Sequence, residues 1–535
     1  MKVFSFLLAT LICSATITDA QVPNLTAENS FGGSQNEHAF CIQQTKDGGS
    51  IIAGGSESNS GDVTGNHGEN DFWIVKLKKD GSIQWQKSFG GSNGEIAFSI
   101  QQTSDGGYIA AGQTSSLNGD VTGNHSGLDF WVIKLDTNGN LLWQKTLGGS
   151  SSDYATSIQQ TKDGGYIAAG SSSSNDGDVS GHHGLSFTTD YWVVKLNASG
   201  NIQWQKSYGG SNADRASSVS QARDSGYIIA GNSISADGDV SGTHDKIYGD
   251  AWIIKTDKNG NIIWQKTYGG SDYEEAKSIQ QTTDGGYITA GWNRSKNGDV
   301  TGNHGDYDFW VLKLNSSGSL LWQKSLGGSS ADLAYSIQQT TDKGYIVAGG
   351  TSSNDGDVIG NHGKEDFWVV KLNSGGNLLW QHALGGSEYE EAHSLVQSKD
   401  GGYLVAGFSG VSNVNNGDVT GNHGNYDYWV AKLSASGAVP ATTQNNLQAN
   451  FAANMHVSAL PNPAFSYTNI NITGVKAKAA ISILNRNNET VFTKNISCAN
   501  GNYQQQVNTG NFLPGVYFIA VQSGNENARI SFIKE

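Results

Sequence analysis

Diglycines recur at Gly32, Gly90, Gly148, Gly209, Gly269, Gly327 and Gly385, at offsets of 58, 58, 61, 60, 58 and 58 residues. A sevenfold repeat of this period restricts the chain to an array, a solenoid or a propeller. Each unit is too small to bury its own apolar faces and must stack on its neighbours.

The second repeat shows what a unit is. In "IAFSIQQT", Ser99 and Gln101 lie on one face and Phe98 and Ile100 on the other, and "DGG" at Asp105 to Gly107 supplies the positive φ of a tight hairpin. "YIAAG" follows, with Ala110 and Ala111 where backbones come close. After a polar loop, "DFWVIKL" sets Phe130 and Val132 against Trp131 and Ile133. A strand apolar on both faces belongs between two layers. "LLWQKTL", after the "DTNGN" turn, is more polar and suits an outer edge. The unit reads as a four-stranded antiparallel sheet.

Seven such sheets protect their end faces best in a closed ring, so the reading is an all-β, seven-bladed propeller over 21–436. The whole chain's 71 glycines against 5 prolines fit many short strands and tight turns. The seventh repeat stops at "DYWVAKLSASG" without its outer strand, and an orphan "LTAENSFGG" opens the first. The N-terminal segment is therefore expected to complete the last blade. Trp73, Trp131, Trp192, Trp252, Trp310, Trp368 and Trp429 mark the third strands, and Trp85, Trp143, Trp204, Trp264, Trp322 and Trp380 the fourth. Burying ~200 Å² of each contributes at most about 5 kcal/mol, so these residues are expected to hold blade interfaces.

Each repeat also carries a GDV-x-G-x-H loop, pairing in sequence Asp62 with His67, Asp120 with His125, Asp178 with His183, Asp239 with His244, Asp299 with His304, Asp357 with His362 and Asp418 with His423. As metal ligands the aspartates would suit calcium, but the first and third positions of such a loop, mostly serine here, lack the carboxylates or amides that calcium needs. The preferred reading is a structural brace in which the Asp caps loop backbone or orients the His, because architecture needs seven copies and catalysis needs one. No cofactor is expected.

A second series is acidic: Glu37, Glu95, Asp153, Asp214, Glu274, Asp332 and Glu390. In a propeller these acids and the histidines would ring one mouth of the central channel, where a carboxylate pair can act as acid and base in glycoside hydrolysis. The competing reading makes each acid an acceptor for diglycine amides. Departures from the repeat fall at 184–189, 245–250, 292–297 and 409–416, and Trp292 is the candidate for an exposed platform that stacks on a sugar ring.

The first twenty residues, MKVFSFLLATLICSATITDA, have the layout of a secretory leader, with cleavage expected after Ala20. Cys41 stands where the other repeats have Ser99, Ser157, Ser218, Ser278, Ser336 and Ser394, and with Cys498 in another domain it reads as a small-residue substitution. A net charge of −15 without a basic cluster argues against nucleic acid, and no later segment has the ~18 apolar residues of a membrane span.

The "G-N-x-x-W-Q" ending of the repeats resembles the tryptophan-docking blades of quinoprotein-type propellers, the diglycine units are similar to kelch repeats, and the His and Asp series is comparable to the brace of WD-repeat propellers. These resemblances imply fold alone. After a linker at 437–456, residues 457–535 show short strands separated by Asn and Gly turns, as in a small β-sandwich. There "LPNPAF", "LPGVYFIAV" and "ARISFIKE" resemble the C-terminal sorting domain (type A-like) of Bacteroidetes proteins exported by the type IX secretion system. The resemblance implies that the secretion machinery is a partner and that the protein is secreted or held at the outer-membrane surface. The function expected is a binding or adhesion module for a glycan or protein. The alternative is a polysaccharide-degrading enzyme, glycoside hydrolase-like and of endoglucanase type, using carboxylates on the ringed face.

Overall fold

The computed structural model describes residues 22–435 apart from 245–246 and 411–416, and in the tail 456–460, 467–473, 478–484, 490–497, 502–512, 515–523 and 526–534. The expected leader, Cys498 and all of the expected linker but its last residue lie outside the described residues. The chain divides into two units, Met1–Pro440 and Ala441–Glu535.

The first unit opens with β1 (Leu25–Phe31). Blade 1 follows as β2 (Glu37–Gln44), β3 (Ser50–Ser56), β4 (Asp71–Leu77) and β5 (Ile83–Phe89), paired antiparallel in that order. The same four-stranded order recurs in β6–β9 over 95–147, β10–β13 over 153–208, β14–β17 over 214–268, β18–β21 over 274–326 and β22–β25 over 332–384. Blade 7 has β26 (Glu390–Gln397), β27 (Tyr403–Gly410) and β28 (Tyr426–Leu433), and its fourth strand is β1, with Phe31 opposite Tyr428 and Leu25 opposite Leu433. Each first strand lies against the first strand of the next blade, and β26 lies against β2, so the seven sheets close a ring with the first strands around its axis.

The two-faced third strand divides between two cores as its pattern requires. Trp131 and Ile133 are buried with Phe72 and Ile74 of blade 1, whereas Phe130 and Val132 are buried with Trp192 and Val194 of blade 3. The indole N–H of Trp131 donates to Gln144 Oε1 at 2.9 Å. In blade 7 the N–H of Trp429 finds Glu28 Oε2 of β1 at 3.0 Å, so the closing strand supplies the missing acceptor. Outer-strand tryptophans cover the next blade's turn: a Cβ on Gly139 would come within 2.8 Å of the Trp85 ring, and φ there is +79°.

One further seam joins the blades, and an ion pair braces each blade within itself. The Ile158 amide donates to Ser99 Oγ of the preceding blade, and the pattern passes through Ser157, Ser218, Ser278 and Ser336 to Ser394, which takes the Ile42 amide at 3.1 Å. Cys41 holds the seventh slot, its Sγ 3.6 Å from Ile100 O. At the hairpin end of blade 1, the buried Lys76 ammonium nitrogen lies 2.9 Å from Asp47 of the "DGG" turn in the same blade, and equivalent pairs recur from Lys134 with Asp105 to Lys371 with Asp342.

The second unit contains two sheets, β29 (His456–Leu460), β30 (Tyr467–Thr473) and β33 (Asn502–Asn508) in one, β32 (Thr490–Ser497), β31 (Lys478–Leu484), β34 (Gly515–Ser523) and β35 (Glu526–Lys534) in the other. Ile470, Ile472 and Val507 of the first share a core with Ile481, Ile483 and Ile519 of the second.

Candidate functional site

The seven acids of the sequence series begin the first strands and are fully or almost fully buried. Glu37 accepts the Gly33 amide at 2.7 Å on Oε2 and the Ser56 hydroxyl at 2.8 Å on Oε1. Glu95, Asp153, Asp214, Glu274, Asp332 and Glu390 take the second diglycine amide in the same way, at 2.7 to 2.8 Å. Each acid thus acts as an acceptor for diglycine amides, the competing reading, and is not a free carboxylate at the channel mouth: it folds back under its loop, because the loop amides have no strand partner and the carboxylate satisfies them.

The loop aspartates and histidines also part company. Asp178 Oδ2 receives a long 3.4 Å bond from the Gly148 amide, and its own amide donates to Gly148 O at 2.8 Å. Asp62, Asp120, Asp239, Asp299, Asp357 and Asp418 grip Gly32, Gly90, Gly209, Gly269, Gly327 and Gly385 likewise. His183 instead gives Nδ1 to Asp190, the first residue of the third strand, at 2.7 Å. His67, His125, His244, His304, His362 and His423 meet Asp71, Asp129, Asp250, Asp308, Asp366 and Asp427 in the same manner. This third-strand aspartate was not singled out from sequence; its signal was the "D-[FYA]-W" that recurs in every third strand.

At each junction the buried third-strand Asp faces the acid of the next blade across the diglycine. A Cβ on Gly32 would lie 2.5 Å from both Asp427 Oδ1 and Glu37 Oε2, so the two carboxyls are about 5 Å apart or less and only glycine fits between them. Burial, opposed by the His67 bond, pushes Asp71 up to about 6, and burial likewise raises Asp427, Asp214 and Asp332 to about 6 and Glu390 to about 7. No group of three or more His, Cys, Asp or Glu side chains with metal-binding geometry occurs among the described residues.

Trp292 is not in a loop. It lies inside β19 (Tyr287–Asn293), opposite Glu275 and Phe309, and is 9% exposed, so the expectation of an exposed platform is corrected. Its ring carries the Lys277 ammonium at 4.9 Å and meets Tyr335 edge-on at 5.4 Å. What it supports is a run of rings that breaks the sevenfold symmetry. Tyr335 lies 4.4 Å from His393, His393 4.9 Å from Phe40, and Phe40 5.1 Å from Phe98, with Phe408 and His38 alongside. Tyr335, His393, Phe40 and Phe98 all occupy the fourth position of a first strand and are half-buried; in blades 3 and 4 that position holds Thr156 and Ser217.

Carboxylates flank this run. Glu275 takes Lys277 at 2.6 Å, the Tyr273 hydroxyl at 2.7 Å and the Ser217 hydroxyl at 3.1 Å; burial opposes its charge, but these partners hold it below the usual carboxylate range. Glu391, bonded by Tyr335, is raised by burial, and burial with the neighbouring Glu391 charge lifts Glu365 to about 8. Burial drops His393 to about 3, so it is a neutral ring at physiological pH. Sequence reading passed over these residues because it looked for departures in loops, while the unique side chains lie inside strands that all share one backbone pattern.

Among solved structures, the chain is similar to Sqt1 from Chaetomium thermophilum (10% identity, TM-score 0.38, 78% of this chain and 100% of that one) and to BBS1N solved in complex with ARL6DN (12%, 0.41, 78% and 99%). It is also similar to a puromycin hydrolase (10%, 0.41, 85% and 62%). Likeness this distant says nothing about activity. A search of curated proteins returned no match. Residues 458–535 match the family "Secretion system C-terminal sorting domain", so the chain joins a propeller of four-stranded sheets to a type IX sorting tail and is exported to the cell surface or beyond.

Proposed function

We propose that the exported propeller is a carbohydrate-binding module that takes a glycan at the mouth of its channel. The supporting observation is the half-buried ring series of Tyr335, His393, Phe40 and Phe98 on one side of the axis, facing the polar Thr156 and Ser217 on the other. A pyranose has apolar C–H faces and a hydroxyl rim, and a wall divided in this way matches both. The seven Asp and His series then serve as braces, and calcium has no part in binding. The test is a glycan array with the mature chain and its Tyr335→Ala and Phe40→Ala variants, with and without a calcium chelator. Loss of binding by about tenfold or more at unchanged melting temperature is expected; full affinity in both variants overturns the reading.

A second reading, hydrolysis of the bound polysaccharide, is favoured by one observation: Glu391 is pushed up by burial while Glu275 is held down by Lys277, and both act on Tyr335. Acids driven apart in this way suit general acid and base roles. New reducing ends in the array-positive glycan, lost in Glu391→Gln, would support it; intact glycan after prolonged incubation would leave binding alone.

A further inference from the structure

We propose that five of the seven blade seams each hold a shallow site for an acidic monosaccharide unit, separate from the channel mouth. Open cavities of ≈ 480 Å³ and ≈ 370 Å³ lie at equivalent places between blades 3 and 4 and between blades 5 and 6. The first is lined by His183, Lys206, Asp239, Asn261 and Ile262, the second by His304, Lys324, Asp357, Asn377 and Leu378. Each is large enough for one sugar ring.

Most polar groups in these walls are already used. Gln205 bridges the Trp192 indole and the Ser180 hydroxyl, Ser207 donates to Ser180 O, and Asn261 donates to Asp257. What remains is a lysine ammonium, one imidazole nitrogen and an aspartate carboxylate that holds only a long bond, 3.3 or 3.4 Å, from a diglycine amide. His183 Nε2 stands 3.8 Å from Asp239 Oδ2, and His304 Nε2 stands 4.0 Å from Asp357 Oδ2, both too far for a direct hydrogen bond. Neither Lys206 nor Lys324 is in an ion pair among the described residues, in a chain with 48 acidic residues against 33 basic ones. A uronate fits this remainder: its carboxylate takes the lysine, a ring hydroxyl bridges His and Asp, and its apolar face lies over Ile262 or Leu378.

The sequence limits the number of sites. Lys87, Lys145, Lys206, Lys266 and Lys324 hold this position in five seams, whereas the sixth has His382 and the closing seam has Asn29.

The test is equilibrium dialysis of the mature full-length protein against millimolar sodium galacturonate, with glucose as the neutral comparison. We expect about five equivalent sites for the uronate and affinity for glucose weaker by about tenfold, the loss of one charge-assisted bond. The double variant Lys206→Met, Lys324→Met should retain two fewer sites at unchanged melting temperature. No uptake, equal uptake of glucose, or an undiminished count in the double variant would each overturn the proposal. Tyr335→Ala should leave the count at about five, so failure at the channel mouth and failure at the seams are read separately.

Discussion

His183 gives Nδ1 to Asp190 at 2.7 Å and leaves Nε2 3.8 Å from Asp239, so one imidazole stands between carboxylates of two blades. Asp190, fully buried, also receives the His183 amide at 2.9 Å, whereas Asp178 holds only a 3.4 Å bond from Gly148. Asp190→Asn is therefore expected to cost about 1–3 kcal/mol and Asp178→Asn less than about 1 kcal/mol. Urea unfolding of the two variants checks the order; an equal loss would contradict it.

The junction acids set a pH dependence. Asp71, Asp214, Asp332 and Asp427 at about 6 and Glu390 at about 7 all lie above the ordinary carboxyl values. A group whose folded pKa is raised binds its proton more tightly in the folded state, so stability falls as pH rises from about 4 to about 7. Asp47, Asp284 and Asp400, lowered to about 2 in spite of some burial by their Thr or Ser hydroxyl and lysine partners, work the other way, and their contribution is lost only as pH falls below about 4. The urea midpoint should be higher at pH 5 than at pH 8. A midpoint that climbs steadily over that range would show that the junction acids are ionised without cost.

Two hairpins depart from the "DGG" turn. Ser225 (φ 70°) and Lys343 (φ 66°) stand where Gly48, Gly106, Gly164, Gly285 and Gly401 turn left-handed. The left-handed conformation costs a non-glycine residue about 1 kcal/mol, so Ser225→Gly and Lys343→Gly should each stabilise by up to that amount. Thermal melts of the two variants check this; a drop in both would mean that unfolded-chain entropy outweighs the relief of strain.

Cys41 interrupts the hydroxyl series of the first strands with a thiol 3.6 Å from Ile100 O. Burial raises this thiol, so it is protonated and unreactive at neutral pH. Cys41→Ser should be neutral or stabilising by up to about 1 kcal/mol, with denaturant unfolding as the check. A large loss would mean that the slot is too apolar for a hydroxyl.

The ring was legible because the third strand is apolar on both faces: Phe130 and Trp131 had to enter two different cores, and they do. The orphan N-terminal segment had to complete a blade, and β1 does so through Glu28 and Trp429. The His partner was hidden by spacing. Asp178 and His183 keep a constant separation of five, while the bonded aspartate follows at four, six or seven residues as the loop length changes. Trp292 misled because Gly55, Gln113, Ser171, Asn232, Gly350 and Phe408 fill its slot elsewhere, and such variety imitates a loop although every one of them is in a strand.

Because β1 is made first and its partner β28 about 400 residues later, the seventh blade stays one strand short until the chain is complete to Leu433. Assembly is thus gated by the most distant contact in the unit, and such pairings are slow to form. A chain halted before Leu433 would be an open arc with an apolar blade face and a bare strand edge at each end, a template for joining other chains. Circularity makes the propeller all-or-none in time as well as in space.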